Sequence, residues 1–129
     1  MALGKIKADT LEHSTAGSVG TQYVVNGTAK AWIHHNDGAS TYGSFGSSSL
    51  TDNGTGDYSF TMSNAMSSAT DYVASVTSGG TGDAAGDDTY GGIGDSTPTT
   101  TVLKHYVRDD GGSRKDGEFT TVLITGDLA

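Results

Sequence analysis

One stretch restricts this chain more than any other: Ser49-Leu50-Thr51-Asp52-Asn53-Gly54-Thr55-Gly56-Asp57-Tyr58-Ser59-Phe60-Thr61-Met62. It reads as strand, turn, strand. Asp52, Asn53, Gly54 and Gly56 tolerate the positive φ that a tight hairpin turn demands. Tyr58, Phe60 and Met62 then alternate with Ser59 and Thr61, so one face of the second strand is apolar and the other polar. An apolar strand face needs a cover, and the pattern therefore predicts a second sheet. The hairpin itself carries no chemistry. It points to an all-β binding or structural module.

Composition narrows the function further. Only 33% of the 129 residues are hydrophobic, and 20 are glycine. Ordinary domains reach roughly 45–50% on a count that includes glycine. So thin a core in a single domain predicts short strands, many turns and stability borrowed from subunit contacts. The net charge is −8, with seven scattered lysines and arginines. Phosphate backbones and anionic membranes need more cations than that, so no nucleic-acid or membrane partner is expected. The absence of cysteine excludes a disulfide framework, thiolate chemistry and cysteine-ligated zinc. Met1 to Lys7 lacks the apolar core of a signal peptide, and no apolar run approaches the roughly 20 residues of a membrane span. The expected route out of a cell is lysis, or passage as part of a particle.

Along the chain, residues 1–27 differ from the rest. Leu3, Ile6 and Leu11 are isolated among polar residues, and Ala16 to Gly20 breaks any helix. The segment reads as an extended arm or stem that makes assembly contacts, followed by a domain over 28–129. Gln22 to Val25 reads as a short strand, ended by the Asn26-Gly27 turn. Thr28 to His35 is the next strand. Ala29, Ala31 and Ile33 share its core face, while Lys30, Trp32 and His34 share the other, so either the parity slips at a bulge or Trp32, with His34, fills a subunit interface. Phe45 and Leu50 have opposite parity, which predicts a bulge or break near Gly46. Asp71 to Thr77 is a strand with Tyr72, Ala74 and Val76 on one face. Residues 79–96, with seven glycines and four aspartates, read as one long loop. Pro98 opens a strand through Val107. Phe119 to Thr125 is the last strand, and Val122-Leu123-Ile124 is apolar on both faces, so its outer side is expected to be covered by another subunit.

No arrangement for catalysis stands out. No Gly-x-Ser-x-Gly elbow is present, and the acids lie mostly in Gly-rich turns, where aspartate serves the backbone. An enzyme is not expected, nor is a cofactor. His34 and His35 are adjacent in a strand, so their rings point to opposite faces and cannot chelate one ion together. Asp83, Asp87, Asp88 and Asp95 are oxygen donors without the register of a calcium loop, and no metal is expected. For a receptor, exposed aromatics on turns are the signal, since ring faces stack on sugars and carry interface energy. The candidates are Tyr42 and Tyr90, with Asp83, Asp87 and Asp88 beside Tyr90. The candidates for assembly contacts are Leu3, Ile6, Leu11, Trp32 and His34.

Two long strings carry a resemblance. Asp9-Thr10-Leu11-Glu12-His13-Ser14-Thr15-Ala16-Gly17-Ser18, followed by Thr21-Gln22-Tyr23-Val24-Val25-Asn26-Gly27-Thr28-Ala29-Lys30-Ala31-Trp32, resembles the start of small structural proteins of tailed bacteriophages, particularly marine ones. Leu50 to Tyr58 is similar to a turn that recurs in those proteins and in the distal parts of phage fibres, and the closing Gly126-Asp127-Leu128-Ala129 also fits. Residues 33–48 and 79–96 depart from the pattern. The resemblance implies a virion component: a homotrimeric short fibre or fibre tip on the external surface of the particle. Its attachment stem would bind tail or capsid proteins, and its β-sandwich knob would face a host-surface glycan or protein. The expectation is an antiparallel, jelly-roll-like β-sandwich of seven or eight short strands with an N-terminal arm. The alternatives are a capsid decoration or head-fibre protein that stabilises the shell, and a free carbohydrate-binding module.

Overall fold

The computed structural model describes residues 7–80, 89–94 and 96–129. It is an antiparallel β-sandwich preceded by a small hairpin and one short helix. The hairpin pairs β1 (Thr10–His13) with β2 (Gly17–Gly20), and α1 (Thr21–Gly27) follows. Eight further strands come in chain order: β3 (Ala29–His35), β4 (Thr41–Phe45), β5 (Ser47–Gly54), β6 (Asp57–Met62), β7 (Tyr72–Gly79), β8 (Thr89–Ile93), β9 (Val102–Asp109) and β10 (Phe119–Gly126). They form two four-stranded sheets, ordered β4-β3-β10-β7 and β5-β6-β9-β8. The first of these strands pairs with the last, β3 on β10.

The alternating strands behave as their patterns predict. Tyr58, Phe60 and Met62 are buried on β6, opposite Leu50 and its neighbours on β5. Ala31 and Ile33 of β3 and Val122 and Ile124 of β10 face them from the other sheet, with Leu103 of β9 and Met66 completing the core. Tyr72, Ala74 and Val76 pack against this cluster from β7. The expected break near Gly46 is where the chain leaves one sheet and enters the other. Gly46 has φ +63°, and a Cβ there would lie 2.4 Å from the Lys30 carbonyl oxygen. Only glycine fits so close a crossing without displacing β3.

Three local readings need correction. Gln22 to Val25 is helical, not a strand. The helix is closed at its C-terminus by the Thr28 amide bonding to the Val24 carbonyl and by the Lys30 ammonium on the Val25 carbonyl. Its first residue is tied to the incoming chain by Thr21 Oγ1 donating to the Ala8 carbonyl at 2.7 Å. The second correction concerns residues 79–96, where Thr89–Ile93 form β8, paired with β9. Gly91 and Gly92 looked like loop residues, but they are the price of close packing: a Cβ on Gly91 would meet Val76 Cγ1 at 2.5 Å, and one on Gly92 would meet the Tyr106 ring at 2.5 Å. Third, β9 starts at Val102 and not at Pro98. Thr99 turns the chain first, its Oγ1 accepting from the Val102 amide at 2.8 Å.

The registers give the sandwich two distinct ends. Ala29 of β3 pairs with Thr125, and Tyr72 of β7 pairs with Gly126. The arm therefore joins at the end that also holds Met66 and Leu128. His35 pairs with Thr120 and Thr41, and Gly79 pairs with Phe119, at the opposite end. The turns 36–40 and 109–118 gather there. Tyr58 ties them together, its one hydroxyl proton shared between the Asp37 carbonyl at 2.8 Å and Asp116 Oδ1 at 3.1 Å.

Candidate functional site

The outer face of the sheet β4-β3-β10-β7 is the most unusual surface. None of its four strands contains an aspartate or glutamate, and Lys30 is their one formally charged residue, in a chain with 15 acids. Strand alternation and register bring apolar side chains together on it. Trp32 stands between Phe45 on β4 and Leu123 on β10. One step towards the turn end, His34 stands beside Tyr42 and Phe119, with ring centroids 4.9 and 6.2 Å away, and Tyr42 stacks on Phe119 at 5.9 Å. Val73 extends the face across β7 and is 70% exposed, while Tyr42 and Phe45 are each 58% exposed. Depletion of acids with enrichment of aromatics is the compositional mark of an interface core. The other sheet differs, with Asp52, Asp57, Lys104, Arg108 and Asp109 in its strands.

The sequence candidates divide accordingly. Trp32 and His34 lie on this outer face, half-buried, and the Trp32 ring covers Gly43, where a Cβ would approach it to 3.3 Å. Leu11 lies on the arm hairpin directly opposite Val19, both exposed. Tyr42 belongs to the aromatic cluster and not to a separate turn surface. Tyr90 is exposed on β8, an edge strand of the other sheet, so the structure does not bring Tyr42 and Tyr90 together. Leu3, Ile6, Asp83, Asp87 and Asp88 lie outside the described residues. Phe45, Phe119 and Val73 were missed as surface residues. Leu123 was flagged by its position in a doubly apolar strand, and the same parity test applied to Phe45 and Phe119 would have found them.

Inside the sandwich lies a polar pair that sequence reasoning did not join. His35 of β3 and His105 of β9 are fully buried, with their Nε2 atoms 3.0 Å apart. His35 Nδ1 lies 2.8 Å from the Asn36 carbonyl, so it carries the proton and donates. His35 Nε2 is then an acceptor, and His105 Nε2–H donates to it. His105 Nδ1 is left as a buried lone pair with no hydrogen-bond partner among the described residues. Tyr58 lies against both rings, stacked on His105 at 5.4 Å and tilted to His35 at 4.7 Å. Desolvation holds both imidazoles neutral. It pushes His105 down to about 3, helped by His35, and it lowers His35 against the opposing pull of the Asn36 carbonyl. Burial also raises the Tyr58 phenol, as does the Asp116 carboxylate beside it. As expected, His34 and His35 point to opposite faces of their strand.

Among the described residues, no group of three or more His, Asp or Glu could hold a metal ion, and no helix is long and apolar enough to cross a membrane. No family model matches the chain, and neither a curated protein nor a solved structure does.

Proposed function

We propose that this chain is a non-enzymatic structural protein of a bacteriophage particle, a homotrimeric short fibre or fibre-tip protein displayed for attachment to the host surface. The observation that carries its self-assembly is the acid-free aromatic face over Trp32, Phe45, Tyr42, Phe119 and Leu123, while the virion assignment rests on the sequence resemblance. A chain of net charge −8 repels its own copies, and a face without carboxylates is where copies can meet without that penalty. The two-ended layout also supports it. The arm, which resembles phage structural proteins over residues 9–32, joins one end of the sandwich, and the turns 36–40 and 109–118 crown the other. An arm bound to tail or capsid proteins would direct those turns outward.

Immunogold labelling of purified phage particles that encode the chain tests the reading. Label at the tail or its tip supports host attachment. Label over the capsid replaces it with shell decoration. No label on any particle overturns the virion assignment. Sedimentation of the full chain tests the trimer separately.

A further inference from the structure

We infer that the aromatic sheet face of one copy is covered by the N-terminal arm of the next copy, in a head-to-tail exchange. This rests on the self-assembly proposed above and specifies its contact.

The same chain carries two uncovered apolar surfaces. One is the sheet face. The other is the arm, none of whose described residues is buried: β1 and β2 have no buried position, and neither has α1. Leu11 and Val19 project from one side of the hairpin, and Tyr23 and Val25 from the helix, with Tyr23 68% exposed. Between hairpin and helix runs an open groove of about 530 Å³, lined by Ala8, Leu11, Val24 and Val25 together with the polar Lys7, Asp9 and Thr21.

The areas of the two surfaces point to a second copy as the occupant. At roughly 150–250 Å² for a whole aromatic side chain, the exposed parts of Tyr42, Phe45, Phe119, Leu123 and Val73 come to on the order of 500 Å². That is the size of the largest patch a monomer ordinarily leaves bare, roughly 300–600 Å². The four arm side chains add on the order of 400 Å² on the same scale. Together, one face and one arm approach the roughly 1,000 Å² that a specific interface needs. Pairing face on face would cover the sheet but leave every arm in water. Arm on face covers both surfaces with one contact per copy, and such a head-to-tail contact gives a closed ring when the rotation between copies divides a full turn. Charge does not oppose the contact: Lys5, Lys7, Asp9 and Glu12 of the arm cancel, and the four strands of the face hold no carboxylate.

Sedimentation velocity on three full-length proteins tests this. The wild type sediments as an oligomer. An arm variant, Leu11→Asp with Tyr23→Asp, and a face variant, Phe45→Asp with Leu123→Asp, each sediment as monomers. Mixed in equal amounts, they form a one-to-one dimer and nothing larger, because one intact arm and one intact face remain. An arm variant that stays oligomeric overturns the exchange and leaves self-assembly standing. A mixture that stays monomeric also overturns it. A wild type that is monomeric at every concentration overturns both the exchange and the trimer. Thermal melting of each variant confirms that it is folded. If the face variant fails to melt cooperatively, Phe119→Ser with Val73→Ser takes its place and is read the same way.

Discussion

His35 and His105 approach each other to 3.0 Å, Nε2 to Nε2, across the two sheets of the sandwich, with both rings out of contact with water. The pair closes the turn end of the core, where Tyr58 links it to the turns through Asp37 and Asp116. One proton fits between the two facing nitrogens. A second would put a cation in an apolar interior without a counter-charge.

Acid should therefore weaken the fold in a defined window. Both histidines stay neutral in the folded chain, His105 down to about pH 3, whereas the unfolded chain takes up protons from about pH 6.5 downward. The unfolded state then binds more protons than the folded one, so stability falls as pH drops. It is complete above about pH 7 and declines by up to ~1.4 kcal/mol per pH unit through His105 below 6.5, with His35 acting in the same direction. Urea midpoints measured between pH 7.5 and 4 should show this slope, and His105→Phe should flatten it. An unchanged slope in that variant would remove the pair as its cause.

Two backbone positions should respond in opposite directions. Gly46→Ala places a Cβ 2.4 Å from the Lys30 carbonyl at φ +63° and should cost at least about 2 kcal/mol. Ala39 is the one described non-glycine residue with positive φ, at 56°, in the turn closed by the Asn36 side chain on the Ser40 amide. Ala39→Gly relieves that strain and should leave stability unchanged or raise it by up to about 1 kcal/mol. Denaturant midpoints of the two variants check both signs.

Tyr58→Phe keeps the ring against the histidines and removes only the hydroxyl that joins the Asp37 carbonyl to Asp116. The Asp37 carbonyl loses its donor while Asp116 keeps the Gly56 amide, so the expected loss is about 1–2 kcal/mol. Amide exchange should accelerate around residues 36–40 and 115–117 more than in β10. Uniform acceleration across the sandwich would show that the hydroxyl does not tie the turns locally.

Trp32 is the only tryptophan and sits half-exposed on the face proposed to be covered. Its fluorescence should shift to the blue as protein concentration rises through the assembly range. The Phe45→Asp, Leu123→Asp variant should keep the red-shifted emission at every concentration. A wild-type spectrum that does not move while sedimentation reports an oligomer would place the subunit contact elsewhere.

The amino-acid sequence by itself determined the local plan. Period-two alternation marked β3, β6 and β7, because a half-buried strand must put like residues on one side. The parity conflict between Phe45 and Leu50 marked a bulge or break near Gly46, and the structure makes that break the crossing from one sheet to the other. Trp32, His34 and Leu123 were legible as outward-facing because their neighbours already filled the core side. Tertiary structure alone decided the rest. Thr21–Gly27 is helical through ties to Ala8 and Lys30, which propensity in so short a segment does not encode. β8 exists because Gly91 and Gly92 fit beneath Val76 and Tyr106, partners that no pattern within residues 79–96 reveals. His35 and His105 are 70 residues apart and meet only once two sheets are stacked. The aromatic face likewise draws on four strands from three parts of the chain. Alternation tells a residue which side of its own strand it occupies; strand order and register decide which residues become its neighbours.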